Sequence, residues 1–194
     1  MAYFAQPVLL MFLGVPGSGK SYFAKGVSKE MNAIRINGDS MRMAIFGSRE
    51  ETNKLYADEK NRYKLNSYVF NGLDYVAEQI LLTGRDVVYD AHHNTKKDRD
   101  NLAVLARKYN ALPLVVSVET PVEVAVQRGQ DRDETVDQRK MDEQTIRETI
   151  ARHQAYAVPP TEEELVVHID GLLSFDDQFT SFTKQVAGFT RGAE

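Results

Sequence analysis

Residues 14–21 read Gly14-Val15-Pro16-Gly17-Ser18-Gly19-Lys20-Ser21, directly after the unbroken apolar run Val8-Leu9-Leu10-Met11-Phe12-Leu13. Six apolar residues without alternation suit a strand buried on both faces, as in a parallel sheet covered by helices. A glycine-rich turn between such a strand and a helix lets successive backbone N–H groups close around an anion, and the helix N-terminus adds its positive end. The spacing is that of a P-loop, in which Lys20 reaches the β- and γ-phosphates and the Ser21 hydroxyl ligates magnesium. Gly14, Pro16, Gly17, Ser18, Gly19, Lys20 and Ser21 are therefore candidate ligands of ATP or GTP with Mg²⁺, Ser21 being the metal ligand.

Strand and helix patterns alternate along the rest of the chain. A helix is expected from about Lys20 to Met31, a second strand over Ala33–Asn37, and a short helix over Ser40–Phe46 with Asp39 at its start. Leu65, Val69, Leu73, Val76 and Ile80 form one helical stripe within 53–82, ended by Gly84. Asp86–Asp90, Leu114–Val118 and Leu165–Asp170 read as three further strands. Helices follow them on Leu102, Leu105, Ala106 and Tyr109, on Val122, Ala125 and Val126, and on Phe175, Phe179, Phe182 and Val186; Ile146, Ile150 and Ala157 mark another. This implies an α/β fold: a P-loop NTPase three-layer αβα sandwich with a five-stranded, mostly parallel sheet, its ligands beyond the strands' carboxyl ends.

The 194 residues suit one domain, 1–194, and the expectation is a stand-alone module. Segment 128–140 has four basic and four acidic residues and only Val136 as a larger aliphatic, so it is not core and reads as a mobile lid. Segment 47–66 is expected to be an acceptor-side insertion. No apolar run reaches the length of a membrane helix, and the chain has no cysteine, which fits a cytoplasmic protein and removes thiolate chemistry. Residues 1–97 carry 13 basic and 10 acidic side chains and residues 98–194 carry 11 and 18, a balance that does not favour extended duplex binding.

Further positions carry chemistry. Asp39, past the second strand, faces the acceptor in a P-loop phosphotransferase and can take a hydroxyl proton, or else it caps the helix that follows. Arg42, one turn on, holds a substrate phosphate or pairs with Asp39. Asp90 ends the third strand, where a carboxylate serves the magnesium shell or an acceptor. His92-His93-Asn94 follows, a polar acceptor-facing loop or, less simply, a transition-metal site. Arg128 and Arg132 are either lid arginines that neutralise the transferring phosphoryl group or a solvated helix end. Tyr56, Tyr63, Tyr68 and Tyr75 read as core or rim of the long helix rather than as base-stacking platforms.

Gly-x-Pro-Gly-Ser-Gly-Lys-Ser, Asp39-x-x-Arg42, the Asp90 loop with Asn94, and Arg128-x-x-x-Arg132, in that order, resemble the P-loop kinases related to polynucleotide 5′-hydroxyl kinase. AAA-type ATP-binding proteins and zeta-toxin-like small kinases are relatives on the same scaffold. The resemblance implies that Asp39 is the general base, that Arg42 engages the acceptor, and that Arg128 and Arg132 belong to the lid. It also implies acceptor contacts from the Asp90 loop, at Asp90, His92 and Asn94. Tyr22 stands where many relatives carry Thr, leaving its backbone N–H for the α-phosphate, and His92 and His93 stand where relatives often have Thr or Asn.

The expected activity is Mg-dependent transfer of the ATP γ-phosphoryl to a hydroxyl, with Lys20, Asp39, Arg128 and Arg132 catalytic. The acceptor is a nucleic-acid 5′-hydroxyl, such as a single-stranded end, or a small-molecule or nucleotide alcohol. The alternative is a nucleotide-binding regulatory ATPase acting on a protein partner, for which Asp39 is superfluous.

Overall fold

The computed structural model describes residues 3–136 and 140–191. Among them the elements run β1 (Val8–Leu13), α1 (Lys20–Glu30), β2 (Ile34–Asn37), α2 (Gly38–Phe46), α3 (Arg49–Ala57), α4 (Glu59–Leu82), β3 (Val87–Asp90), α5 (Lys96–Lys108), β4 (Leu112–Glu119), α6 (Val122–Asp131), α7 (Glu143–Tyr156), β5 (Val166–Asp170) and α8 (Phe175–Arg191). All strand pairs are parallel, in the order β2-β3-β1-β4-β5. β1 is central, which is why its run is apolar throughout. Val8, Leu10 and Phe12 pack toward Phe23, Ala24 and Val27 of α1 and Phe182 and Val186 of α8. Leu9 and Met11 face Val69, Leu73 and Ala77 of α4 and Leu102 and Ala106 of α5. The result is the expected αβα sandwich of the P-loop NTPase fold.

Three boundaries differ from the sequence reading, each for a local reason. Asp39 is not the cap of α2: the helix begins at Gly38, two residues earlier than expected, and the Asn37 side chain accepts from Ser40 N at 2.9 Å. This places Asp39 in the first turn, free for another role. The segment 53–82 is not one helix, because Asp58 takes an extended backbone (φ −80°, ψ 105°) and caps α4 through Lys60 N. β4 is longer than expected and includes Pro113; its neighbour β5 pairs only from Val115 onward, so the missing N–H breaks no ladder bond.

A smaller cluster of Ala125, Val126, Ile146 and Ile150 joins α6 to α7. Their close approach needs Gly129, where a Cβ would lie 1.8 Å from Ile146 Cδ1. Residues 137–139 of the proposed lid lie outside the described residues.

Arg99 of α5 has 1% of its side chain exposed and is fully employed. It donates to both carboxylate oxygens of Glu164, at 2.6 and 3.1 Å, and to the carbonyls of His93, Val158 and Pro159. Hydrogen bonding to Arg99 holds the Glu164 carboxyl below its ordinary pKa. Removing one partner of such a pair leaves the other uncompensated, so Arg99→Ala is expected to cost about 3–5 kcal/mol. Urea unfolding checks this; a loss under about 1 kcal/mol would mean water replaces the guanidinium.

Candidate active site

The sequence elements flagged for chemistry meet at the carboxyl ends of β1, β2 and β3, around a cavity of about 660 Å³. On one side the phosphate loop uses left-handed backbone at Gly17 (φ 83°) and Gly19 (φ 103°). Gly17 is also spatially obligatory, since a Cβ there would lie 2.1 Å from the Ala125 carbonyl oxygen of α6. Lys20 folds back onto the loop, donating from Nζ to the carbonyls of Gly14 (2.8 Å) and Val15 (2.6 Å). Burial pushes its pKa down to about 7; Asp90 opposes that shift and Arg132 adds to it.

Ser21 Oγ donates to Asp90 Oδ1 at 3.0 Å. Asp90 is 4% exposed. Its Oδ2 accepts from Arg35 Nε and Asn37 Nδ2, each at 2.9 Å, so the carboxylate is fixed with Oδ1 toward the loop. A hydroxyl and a carboxylate oxygen side by side suit a hard cation that completes its shell with phosphate oxygens and water, and the pair fits magnesium. Among the described residues no group of three His, Cys, Asp or Glu side chains is arranged to hold a metal ion, which leaves the transition-metal reading of His92-His93 without a ligand set.

Facing the loop, Asp39 Oδ1 lies 3.2 Å from Arg42 Nη1 and 3.9 Å from Arg49 Nη1. Arg42 is held in turn by Tyr56 Oη (3.3 Å) and Asn66 Oδ1 (3.2 Å), and the Tyr56 hydroxyl donates to the same Asn66 oxygen at 3.0 Å. Residues of α3 and the start of α4, within the segment 47–66, thus line the cavity opposite the loop. Arg49 also donates to the carbonyls of Thr135 (2.9 Å) and Val136 (3.2 Å), tying that wall to the segment after α6.

Arg128 and Arg132 both line the cavity. Arg128 Nη1 donates to the Gly171 carbonyl at 2.8 Å. Burial lowers the Arg132 pKa, opposed by Asp39, and its Nη2 is buried with no hydrogen-bond partner among the described residues. Tyr22 stands at the rim, its ring edge-on to Phe175. Pro16 and Gly19 line the recess, whereas Gly14 and Ser18 sit beneath it, the Ser18 side chain wholly buried.

The histidine loop divides three ways. His92 is exposed and lines the cavity, with its ring 4.5 Å from that of His153. Desolvation, then the nearby Lys20, His153 and Arg42, hold its pKa well below the ordinary imidazole value. His93 is a core residue: its backbone N–H donates to Phe12 O, its Nδ1 accepts from Phe12 N at 3.3 Å, and burial pushes its pKa down to about 3. Asn94, expected among the acceptor contacts, is 4% exposed, is absent from the cavity wall and hydrogen-bonds His153 Nδ1 at 2.9 Å.

The sequence reading did not single out Arg35, Arg49, Asn66 or Arg152, and it left Tyr56 in the rim or core. One signal was available for α7. Thr145, Thr149 and Arg152, at i, i+4 and i+7, form a stripe about 100° round the helix from buried Ile146 and Ile150, and all three line the cavity.

The family model described as an AAA domain matches residues 9–156, from within β1 to the end of α7. The chain belongs to the AAA-domain family. This span of the AAA-domain protein holds every cavity residue named above. Among solved structures, a sugar kinase from Janibacter sp. HTCC2649 is similar at a TM-score of 0.67 and 14% identity, over 93% of this chain and 95% of that one. A gluconokinase from Sinorhizobium meliloti 1021 gives 0.63 and 16%, over 97% and 95%. A protein from Chloroflexus aurantiacus j-10-fl gives 0.66 and 14%, over 98% and 100%. At these identities the likeness is one of fold. No curated protein matches the sequence significantly.

Proposed function

We propose that this AAA-domain protein is a magnesium-dependent phosphotransferase that moves the γ-phosphoryl group of ATP, or of GTP, to the hydroxyl of a small-molecule acceptor. The observation that carries the reading is the position of Asp39. It faces the same cavity as Lys20 and the Ser21–Asp90 pair, from the opposite wall, with its helix capped by another residue. In the transfer, the acceptor oxygen forms a bond to the γ-phosphorus as the bridging oxygen–phosphorus bond breaks. The hydroxyl proton passes to Asp39, and the nucleoside diphosphate leaves. Lys20 and the loop amides hold the phosphates, and Arg128 and Arg132 offset charge on the transferring group. Ser21 and Asp90 would hold Mg²⁺, whose bound charge neutralises the β- and γ-oxygens.

A small acceptor is favoured over a nucleic-acid 5′ end by the acidic charge balance and by neighbours described as a sugar kinase and a gluconokinase. Incubation with γ-labelled ATP, Mg²⁺ and a panel of sugars, sugar acids, nucleosides, nucleotides and 5′-hydroxyl oligonucleotides tests this. The expected result is label on a small alcohol. Label on oligonucleotides alone would assign the polynucleotide acceptor. Release of inorganic phosphate with every acceptor, unchanged in Asp39→Asn, would make the protein a nucleotide hydrolase acting on a partner.

A further inference from the structure

The phosphate loop is held from behind by the carboxyl ends of β4 and β5. The Thr120 hydroxyl, one residue past β4, donates to the Ser18 carbonyl at 2.8 Å. The last rung of the ladder places it there. Glu119 and Asp170 are partners across β4 and β5, and the Gly171 N–H donates to the Glu119 carbonyl at 2.7 Å. Pro121 follows, which disfavours a helical turn at Thr120. Gly171 closes the remaining side: a Cβ on it would lie 1.9 Å from Thr120 Oγ1 and 2.5 Å from the Ser18 carbonyl oxygen. Its backbone is not left-handed, so glycine is needed there for space and not for conformation.

Peptide geometry carries this contact to the ligand side of the loop. In a planar trans peptide the C=O and the next N–H point in opposite directions, and no described peptide bond is cis. The Ser18 carbonyl is turned to Thr120, which does not line the cavity, so the Gly19 N–H is turned the other way, and Gly19 does line it. That N–H bonds to no described residue and stands at the start of α1 beside Lys20, among the donors that a phosphate would take up. The local backbone does not fix this orientation by itself. Rotating the Ser18–Gly19 peptide changes φ at Gly19, and glycine takes either sign of φ about as readily. The rotated peptide would present a carbonyl oxygen to the anion.

We propose that Thr120 is a positioning residue for the phosphate site: its hydroxyl holds the Ser18 carbonyl back, so that the Gly19 N–H is aimed at the bound phosphates. This deepens the phosphotransferase reading and rests on it for the nucleotide as occupant. Thr120 acts through the loop, from outside the cavity wall. The same corner serves Arg128, whose Nη1 donates to the Gly171 carbonyl, so a substitution at Gly171 disturbs two groups at once. Thr120→Val is the cleaner probe, because valine keeps the shape and deletes the hydroxyl, while Thr120→Ser keeps the hydroxyl.

Calorimetric titration of the whole protein with Mg·ADP and with Mg·tripolyphosphate tests this. Only the molecules whose donor faces the anion bind well, so losing the bias of one hydrogen bond is expected to weaken both ligands about five- to tenfold in Thr120→Val. The factor should be the same for both, since they share the phosphates, and Thr120→Ser should bind as wild type does. A packing role alone would lower the melting temperature and leave these affinities in place. Affinities of Thr120→Val within about twofold of wild type, an equal loss in Thr120→Ser, or weakening of ADP alone overturns the proposal.

A measurement on wild type needs no variant. The Gly19 amide proton, followed by NMR in isotope-labelled protein, should move downfield as Mg·tripolyphosphate saturates, because it gains a charge-assisted hydrogen bond. An unmoved Gly19 amide at saturation overturns the proposal, as does wild type that binds neither ligand. Transfer assays separate the two readings. Thr120→Val should raise the KM for ATP by the factor seen in binding, with the acceptor KM unchanged; an unchanged KM for ATP overturns the positioning role and leaves the phosphotransferase intact. The expected affinity pattern with no transfer to any acceptor keeps the role of Thr120 and removes the phosphotransferase.

Discussion

Lys20→Ala is expected to lower phosphoryl transfer by about 10³-fold or more and to weaken nucleotide binding with it. Two separate losses add up. In the nucleotide complex, the substitution takes away the one ammonium that the loop presents to the β- and γ-phosphates. In the empty protein, it leaves the carbonyls of Gly14 and Val15 without the donor that now satisfies both. Lys20→Met keeps the apolar stem but removes both the charge and the donor, so the two variants share both losses and alanine adds only lost packing: a shared loss of turnover, with the larger fall in melting temperature confined to alanine, assigns catalysis to the ammonium. Turnover of either variant within about tenfold of wild type would remove Lys20 from the phosphate site.

The same buried ammonium predicts a proton linkage. Without nucleotide, burial puts the Lys20 pKa near 7, below the ordinary lysine value of 10.5. Phosphate anions beside Nζ favour the charged form and raise the pKa again. Between about pH 7 and the raised value, the complex therefore holds a proton that the free protein lacks, so binding takes up protons and affinity falls as pH rises through that window. Calorimetry of Mg·ADP binding at about pH 8, in buffers of different ionisation enthalpy, should show proton uptake in wild type and none in Lys20→Met. Equal uptake in both would locate the linkage elsewhere.

What was readable in the sequence and what was not divides along physical lines. The order of strands and helices is written in local periodicity, and the phosphate loop in a contiguous spacing of glycines with Lys20 and Ser21. Both survive translation into coordinates because they depend on neighbours in the chain. The acceptor wall depends instead on contacts across the fold. Arg49 matters because α3 brings it to Asp39 and to the carbonyls of residues 135 and 136, and Tyr56 because its hydroxyl meets Arg42 and Asn66. Nothing in the local pattern of residues 49–66 distinguishes these side chains from a solvated helix face. The loop after β3 shows the converse. His92, His93 and Asn94 are equally polar in sequence, yet the backbone pairing of His93 with Phe12 buries one, turns Asn94 to His153, and leaves only His92 on the cavity.

Asp39→Asn is expected to reduce kcat by about 10²–10⁴-fold while nucleotide affinity stays near wild type. The asparagine side chain is nearly isosteric and its carbonyl oxygen can still accept from Arg42, which lies 3.2 Å from the native carboxylate, but it cannot take up the acceptor proton. The competing structural explanation is weak, because the first turn of α2 is secured by Asn37 and not by Asp39. The substitution therefore removes no cap, and the melting temperature should hardly move. Asn37→Ala supplies the contrasting case. It is expected to destabilise by about 1 kcal/mol through the lost cap, and it also removes one of the donors that hold Asp90. A split between the kinetic constants then decides what Asp39 does. A fall in kcat with the acceptor KM nearly unchanged marks proton transfer in the transition state. A rise in acceptor KM with kcat intact would instead make Asp39 a positioning residue, whose task is to hold Arg42 and Arg49 toward the acceptor, and the proton would then have to leave by water.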